Sequence, residues 1–259
     1  MANLEALIFD VDGTLADTER DGHRVAFNQA FRDAGLDWEW SIELYGQLLA
    51  VTGGKERIRY FLNRFNQAFK PPADLDGFIA ALHASKTEHY TRILAEGGIP
   101  MRVGVKRLLH EAREKGIRLA IATTTTPANV SGLLQHSLDA SAESWFEVIA
   151  AGDIVPAKKP APDIYLWAMQ QMGLQPGACL AFEDSHNGVQ SAKRAAIKSI
   201  LVTTNGYTKQ DDFSGATLVV DQIGEPELPF QVVSGEAEGQ RYIDIAMLEE
   251  LHLKPKKIS

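Results

Sequence analysis

The chain has 259 residues, of which 45% are hydrophobic and 23% are charged, and its formal net charge is -8. This length suits one core domain with a smaller insertion, and the composition is that of a globular protein able to bury a core. The negative charge argues against a nucleic-acid-binding protein, because neutralising phosphates requires a basic surface. An anionic ligand therefore needs a local cluster of Lys, Arg or metal.

The N-terminus and the apolar runs indicate where the protein resides. Residues 1–5 contain no basic segment leading into a long apolar one, so we expect no signal peptide. No apolar run approaches the length that crosses a bilayer. The single cysteine, Cys179, excludes an intramolecular disulfide, and its apolar neighbours indicate a buried thiol. We therefore expect a cytoplasmic protein without membrane or nucleic-acid partners.

Short apolar runs alternate with helical patterns along much of the chain. The first run, residues 4–10, ends in a carboxylate and is typical of a strand buried on both faces. Similar runs predict strands at residues 117–123, 146–150, 178–183, 199–204 and, more weakly, 217–220. Helical patterns lie between several of them, at residues 103–115, 162–172 and 187–196. This alternation predicts an α/β fold with a doubly wound, Rossmann-like parallel sheet.

A block of helices interrupts this alternation after the first strand. The predicted helices of the block are residues 23–33, 42–49, 55–65 and 75–94. A helical block inserted into an α/β core predicts a cap domain. We therefore predict a catalytic core of residues 1–16 and 99–224, a helical cap of residues 17–98, and a C-terminal extension of residues 225–259.

The extension is the least informative segment. Pro226 and Pro229 indicate an extended connection. Residues 241–251 then predict a terminal helix. Its predicted apolar face contains Ile243, Ala246, Met247 and Leu251. The sequence assigns this segment no role.

The first predicted strand leads into two carboxylates separated by one residue. Because the carboxyl ends of parallel strands lie at one edge of the sheet, polar residues there can converge. Asp10 can attack phosphorus as a carboxylate nucleophile. Asp12 is near enough to protonate the leaving oxygen and then activate water, and we expect burial and the neighbouring carboxylate to raise its pKa. Gly13 permits a sharp turn, and an Asx turn closing the strand is the alternative interpretation.

Two later segments offer groups that bind phosphate. Thr123 ends the next apolar run, and a hydroxyl followed by free backbone amides, as at Thr124, can hold a phosphate. A threonine cluster is also common in ordinary polar loops. Lys159, directly before Pro160, is a better candidate than Lys158 to neutralise the phosphate and the nucleophile.

A second pair of acidic residues follows the predicted strand at residues 178–183. Glu183 and Asp184 offer oxygen ligands of the kind that Mg²⁺ prefers. Asp184 would share the ion with the Asp10 side chain and the Asp12 backbone carbonyl. Asp184 or Ser185 can also serve as the N-cap of the helix that follows, and both interpretations are compatible.

These four motifs, in this order, resemble those of the haloacid dehalogenase superfamily across the core, from residue 4 to about residue 220. The resemblance implies a Mg²⁺-dependent phosphatase that forms an aspartyl phosphate. It implies catalytic roles for Asp10, Asp12, Thr123 and Lys159, and metal binding by Asp10, Asp12, Glu183 and Asp184.

The helical insertion resembles the cap of the β-phosphoglucomutase and phosphoglycolate phosphatase branch. Residues 17–23, 51–57 and 123–130 resemble more closely the bacterial xylulose-1,5-bisphosphate phosphatases of the Calvin cycle. That resemblance implies removal of the 1-phosphate from a small phosphosugar that inhibits Rubisco. It implies a functional link to Rubisco, without implying direct contact.

A bisphosphate needs a second anion site away from the metal. Gly53, Gly54 and Lys55 offer backbone amides and an ammonium group in a loop that opens a helix. Glu19 and His23 lie four residues apart on one predicted helical face and could bind sugar hydroxyls. The predicted substrate-binding residues are therefore Glu19, His23, Gly53, Gly54, Lys55, Lys86, Thr123, Thr124 and Lys159.

Two other enzymatic functions fit the same motifs. One is a phosphatase for another small phosphosugar, and the other is a phosphosugar mutase, which shares Asp10 and Asp12 but must protect the aspartyl phosphate from water. Residues 53–56 differ from the mutase-like arrangement, in which an Arg binds the distal phosphate. A binding module without catalysis is disfavoured, because Asp10, Asp12, Lys159 and Asp184 are all present.

Overall fold

The computed structural model describes residues 3–253 and contains a seven-stranded sheet flanked by helices. Residues 1–2 and 254–259 lie outside the described residues. Parts of two predictions, the absence of a signal peptide and the C-terminal extension, fall there. The strands are β1 (Ala6–Phe9), β2 (Arg118–Ala122), β3 (Val148–Ala150), β4 (Cys179–Glu183), β5 (Ser199–Thr203), β6 (Leu218–Val220) and β7 (Val232–Ser234). They confirm the predicted parallel sheet.

The strand order is β3-β2-β1-β4-β5-β6-β7, and every neighbouring pair is parallel except β6 and β7. The sequence did not predict β7, because this three-residue edge strand is exposed and has no apolar alternation. The order reverses between β1 and β4. In open parallel sheets, ligands bind at such a switch point, outside the carboxyl ends of the strands.

The register brings the ends of β1 and β4 level with each other. Phe9 pairs with Phe182, their rings stack with centroids 4.3 Å apart, and the Asp10 N–H donates to the Phe182 carbonyl at 3.0 Å. Asp10, which follows β1, and Glu183, the last residue of β4, therefore lie next to each other at the carboxyl edge of the sheet. Thr123 follows β2, whose Ile121 pairs with Phe9, so Thr123 lies at the same edge of the sheet as Asp10. Its N–H donates to the Ala150 carbonyl of β3 at 2.9 Å.

Helices cover both faces of the sheet and form the insertion between β1 and β2. Those of the insertion are α1 (Arg24–Asp33), α2 (Ile42–Leu48), α3 (Gly54–Arg64) and α4 (Leu75–Ala95). Those beyond it are α5 (Val105–Glu114), α6 (Pro127–Leu133), α7 (Asp163–Met172), α8 (His186–Arg194) and α9 (Ile245–Leu253). The sequence did not predict α6, a short helix capped by Thr126 in the threonine-rich loop.

The insertion has its own apolar cluster, separate from the two clusters on the sheet faces. Trp40 is fully buried there. The Asn28 side chain donates to the Trp40 carbonyl and accepts from the Trp40 backbone N–H. Two connections join the insertion to the sheet, with Ala16 bridging Met101 in antiparallel fashion. The predicted domain limits at residues 16, 98 and 224 stay predictions.

The C-terminal segment packs onto the core. Helix α9 begins at Ile245 rather than at residue 241, because Asp244 accepts a hydrogen bond from the Met247 N–H at 2.8 Å and caps it. The predicted apolar face was wrong at Ala246, which is exposed. The buried residues of this segment are Ile243, Ile245, Met247, Leu248 and Leu251. Along residues 3–253, no helix combines the length and apolarity needed to span a membrane.

Candidate active site

Three carboxylates and one lysine meet at the switch point of the sheet. Lys159 Nζ lies 2.7 Å from Asp10 Oδ1 and 2.6 Å from Glu183 Oε1. Asp10, Glu183 and Asp184 each offer a carboxylate oxygen, and these oxygens all lie within 4.8 Å of one another. The cluster adjoins a cavity of about 470 Å³, which is in the size range of small-molecule sites. This cavity is lined by the predicted residues Asp10, Asp12, Glu19, Thr123, Thr124, Lys159 and Asp184.

The structure distinguishes the two adjacent lysines. Lys159 is buried and lies over the ring of Tyr165, whose hydroxyl donates to Glu183 at 2.5 Å. Burial lowers the pKa of Lys159, but the charges of Asp10 and Glu183 outweigh it, and the net pKa is raised. Lys158 instead bonds to the Gly152 carbonyl and to Asp153. Lys159 is therefore the ammonium group that reaches the carboxylates.

The carboxylate cluster carries more negative charge than its lysine can offset. Burial raises the pKa of Asp10, and the charges of Glu183 and Asp12 raise it further. The charge of Lys159 opposes them, and the net pKa of Asp10 is about 7. Burial and the charges of Asp10 and Glu183 raise the pKa of Asp184 well above its usual range. Within residues 3–253, Glu183 Oε2 is buried without a hydrogen-bond partner. These hard oxygen donors and their excess negative charge fit a divalent cation such as Mg²⁺.

Asp184 is held by two neighbours that the sequence analysis did not assign. Asn205 Nδ2 donates to Asp184 Oδ2 at 2.6 Å. Gly13 has φ of 84°, and a Cβ at this position would collide with the Asp184 carboxylate. Asn205 follows β5, so the rule that polar residues at strand ends converge could have identified it.

Asp12 is surrounded by residues of the insertion. Its Oδ1 accepts a hydrogen bond from Thr18 at 2.5 Å and lies 2.8 Å from His23 Nε2. Lys86 Nζ is 2.8 Å from His23 Nδ1, and since an ammonium only donates, Nδ1 accepts and Nε2 is left to donate to Asp12. Burial raises the pKa of Asp12, but the hydrogen bonds from His23 and Thr18 and the charge of Lys86 outweigh burial, and the net pKa is lowered.

The predicted rise in the pKa of Asp12 was therefore wrong. The sequence shows Asp10 nearby but not that His23 and Thr18 fold onto the same carboxylate. The local structure also differs from the prediction, because Glu19–His23 forms a single π-helical turn before α1 instead of an α-helical face. Such turns are rare and occur frequently at functional sites.

Arg57 is a cavity residue that the sequence analysis missed. Its Nη1 donates to the Tyr45 hydroxyl at 2.7 Å and lies 3.6 Å from Glu19 Oε2, while Tyr45 donates to the same carboxylate. Arg57 is buried, and among residues 3–253 its Nε has no hydrogen-bond partner. In the sequence it is one of several charges in a helix, and such charges are usually solvated.

A smaller cavity of about 40 Å³ adjoins the first and shares Asp12, Glu19, Arg57 and Thr124 with it. Predicted residues that line it are His23, Gly53, Gly54 and Lys86. Lys55 lines neither cavity and pairs with Asp153 at 2.5 Å. The Glu56 carboxylate lies against Gly53, directly before α3. A negative group therefore occupies the N-terminus of α3, where the sequence predicted a phosphate.

Comparisons with known proteins agree with this geometry. Residues 4–196 match the family model of the haloacid dehalogenase-like hydrolases. The chain is 46% identical over 250 residues to the plasmid-encoded protein CbbY of Cupriavidus necator, covering 96% of this chain and 97% of that protein. It is 50% identical over 232 residues to CbbY of Rhodobacter capsulatus, covering 87% of this chain and 99% of that one.

A solved structure resembles the chain over most of its length. It is a mutant of CbbY from Rhodobacter sphaeroides in complex with xylulose-(1,5)bisphosphate, 44% identical in sequence. The match has a TM-score of 0.77 and covers 85% of this chain and 94% of that one. The chain therefore belongs to the haloacid dehalogenase-like hydrolases and, among them, to the phosphatases of the CbbY type.

Proposed function

We propose that the chain hydrolyses the 1-phosphate of xylulose 1,5-bisphosphate through an aspartyl phosphate on Asp10, with Mg²⁺ as cofactor. The observation that carries this proposal is the meeting of Asp10, Lys159, Glu183 and Asp184 beside one cavity. The substrate is supported by the CbbY relative that binds xylulose-(1,5)bisphosphate.

In the first step, Asp10 attacks the phosphorus and the bond to the sugar oxygen breaks. Bound Mg²⁺, held by Asp10, Glu183, Asp184 and the Asp12 backbone carbonyl, would offset the repulsion between carboxylate and phosphate. The Lys159 ammonium stabilises the negative charge that gathers beside Asp10. The Thr123 hydroxyl and the Thr124 backbone amide, at the cavity wall, would hold the phosphoryl oxygens.

In the second step, water attacks the phosphorus of the aspartyl phosphate, Asp12 accepts a proton from that water, and the bond between phosphorus and the Asp10 oxygen breaks to release phosphate. The hydrogen bonds from His23 and Thr18 orient the Asp12 carboxylate for this transfer. Protonation of the leaving sugar oxygen in the first step requires a proton on Asp12. The negative phosphoryl group favours that proton, because a nearby like charge raises the pKa of a carboxyl group.

The distal phosphate would bind at Arg57 rather than at the predicted Lys55. Arg57 lines both cavities, and a guanidinium can bind phosphate through two parallel hydrogen bonds. Lys86 adds a buried ammonium to the smaller cavity, and burial lowers its pKa to about 8. Glu19 lines both cavities, so its carboxylate can accept hydrogen bonds from sugar hydroxyls. The contact of His23 with the sugar stays a prediction, since its two ring nitrogens contact Asp12 and Lys86.

The Arg57→Met variant tests the distal phosphate site. Because charge-assisted hydrogen bonds contribute about 1.5–3 kcal/mol, KM for xylulose 1,5-bisphosphate should rise roughly 10- to 100-fold. KM for a monophosphate that lacks the distal group should change much less. Steady-state phosphate release on both substrates measures this difference. The control is Arg59→Met on the same helix, where an exposed arginine pairs with Asp76; an equal rise of both KM values in Arg57→Met would contradict the assignment.

A phosphate-release assay with the wild-type chain tests the whole proposal. With Mg²⁺ and xylulose 1,5-bisphosphate, we expect one inorganic phosphate per substrate molecule. Chelation by EDTA should stop the release, and added Mg²⁺ should restore it. Sugar monophosphates and other bisphosphates belong in the same screen. If no bisphosphate releases phosphate in the presence of Mg²⁺, the proposed reaction is wrong.

A phosphosugar mutase is the second candidate, and Arg57 is the observation that favours it. The loop at residues 53–56 contains no arginine, but Arg57 supplies one in the lining of the cavity. Phosphorus NMR separates the two functions: a mutase converts β-glucose 1-phosphate to glucose 6-phosphate without releasing phosphate.

The predicted domain organisation fits this function. In it, residues 17–98 act as a cap over a core of residues 1–16 and 99–224, with residues 225–259 as an extension. A cap that contributes Glu19 and Arg57 would exclude water while the phosphoryl group is transferred. The CbbY relatives also support a link to carbon fixation, and the cytoplasmic location stays a prediction.

A further inference from the structure

Arg102 bonds to three segments at the carboxyl edge of the sheet. Its side chain is 8% exposed and lies on the second connection between the insertion and the core. Nη2 donates to the carbonyls of Thr204 at 2.6 Å and Asp221 at 2.8 Å. Nη1 donates to the carbonyls of Gly13 and Thr203. The guanidinium thus satisfies carbonyls at the ends of β5 and β6 and in the turn after β1.

Two of these carbonyls adjoin residues that contact Asp184. Gly13 packs against the Asp184 carboxylate, and the residue after Thr204 is Asn205, whose amide donates to that carboxylate. The Gly13 carbonyl also directly follows the peptide of Asp12, whose carbonyl is a proposed Mg²⁺ ligand. Arg102 therefore fixes the backbone at Gly13 and next to Asn205, the two residues that contact Asp184. It does not contact the carboxylate cluster itself.

Arg102, on the second connection to the insertion, contacts the first connection through its side chain and its backbone. Its Nε lies 3.5 Å from Asp17 Oδ1 on the first connection. The Arg102 N–H donates to the Leu15 carbonyl at 2.9 Å, beside the bridge between Ala16 and Met101. The position of the insertion and the position of the Asp12 turn are thus set through one residue.

We infer that Arg102 is a positioning residue for the phosphatase reaction, fixing the Asp12–Gly13 turn and the Asn205–Asp184 pair so that the carboxylates meet one Mg²⁺. This inference rests on the proposed function. It requires the planar fork of arginine, whose five donors bond several carbonyls at once, whereas a lysine ammonium has three donors at one point.

The Arg102→Lys variant tests this inference, since it keeps the charge and removes the fork. Residues that orient metal ligands typically affect metal affinity or activity by about 10- to 100-fold when they are changed. We expect Mn²⁺, a substitute for Mg²⁺, to bind at least about tenfold more weakly by titration calorimetry without substrate. We also expect kcat to fall with a smaller change in KM.

Arg107→Lys is the matched control. Arg107 also donates to two carbonyls, Gly224 and Ile243, but it anchors the C-terminal segment away from the cavity. This variant should lower the melting temperature while Mn²⁺ affinity and kcat stay within about twofold of wild type, since a purely structural substitution shifts stability alone. Wild-type Mn²⁺ affinity in Arg102→Lys, or equal losses in both variants, overturns the inference.

The Asn205→Ala variant tests the same route if Arg102→Lys does not fold. Removing this amide should reproduce part of the loss of Mn²⁺ affinity, because Asp184 loses a donor that Arg102 holds in place. Wild-type Mn²⁺ affinity in Asn205→Ala overturns the inference. Failure of the proposed function has a different signature, since the wild type itself would then bind Mn²⁺ without releasing phosphate from any sugar bisphosphate.

Discussion

Asp10→Asn should abolish phosphate release while the chain stays folded. Removing a catalytic nucleophile typically lowers kcat by about 10⁴-fold or more, because the amide cannot form the covalent intermediate. The fold should tolerate the change, since Asn has nearly the same shape and burial already raises the pKa of Asp10 to about 7. The neutral amide also relieves repulsion within the carboxylate cluster.

Two measurements check this expectation. Single-turnover assays should show phosphate release from wild type and none from Asp10→Asn, and intact-mass measurements after acid quenching should detect phosphorylated wild type only. Asp244→Asn is the matched control, because Asp244 is partly buried and hydrogen-bonded but caps α9 away from the cavity. If Asp10→Asn keeps more than a tenth of wild-type kcat, Asp10 is not the nucleophile.

Lys159→Met should lower both activity and stability. Without the ammonium, Asp10 and Glu183 are buried next to each other with no cation, and breaking a buried ion pair in this way costs about 3–5 kcal/mol. For a chain of this size, that corresponds to a drop in Tm of roughly 6–20 °C. The loss of charge stabilisation beside Asp10 should reduce kcat by about 10²- to 10³-fold or more.

Lys158→Met provides the control, because this lysine bonds to Asp153 and Gly152 outside the carboxylate cluster. Its Tm and kcat should stay close to wild type. The raised pKa of Lys159 means that its stabilising contribution is fully present below the ordinary lysine pKa and is lost as pH rises through the raised value. Thermal unfolding at neutral pH, without added metal, therefore measures the full effect. A larger loss in Lys158→Met would reverse the assignment of the two lysines.

The sheet and its cluster of charged residues were predictable because their signals are local. Each buried strand is a short apolar run, and the residue that ends the run lies at the carboxyl edge of a parallel sheet. Asp10, Thr123 and Glu183 could be placed at that edge from sequence alone. Lys159 could be chosen over Lys158 only from the position of the proline, and its contacts with Asp10 and Glu183 agree with the choice.

The remaining features depend on contacts between distant segments. Arg57 and Arg102 are ordinary charges in the sequence, and each is buried by residues distant in the chain, Arg57 beside Tyr45 and Arg102 beside Thr204. A contact of the same kind lowers the pKa of Asp12, which is hydrogen-bonded to a histidine eleven residues away in a π-helical turn. The ion pair of Lys55 with Asp153 could not be predicted for a related reason, since the two residues are 98 positions apart in the chain.

The ion pair between Asp10 and Lys159 joins residues 149 positions apart in the chain. During synthesis, the aspartate therefore leaves the ribosome long before the lysine, and β4 with its own carboxylates follows later still. The buried charges can be balanced only after most of the polypeptide has emerged. Until Lys159 and β4 have emerged, the carboxylate at the end of β1 would therefore stay in contact with water. The carboxylate cluster can form only once β4 has been synthesised.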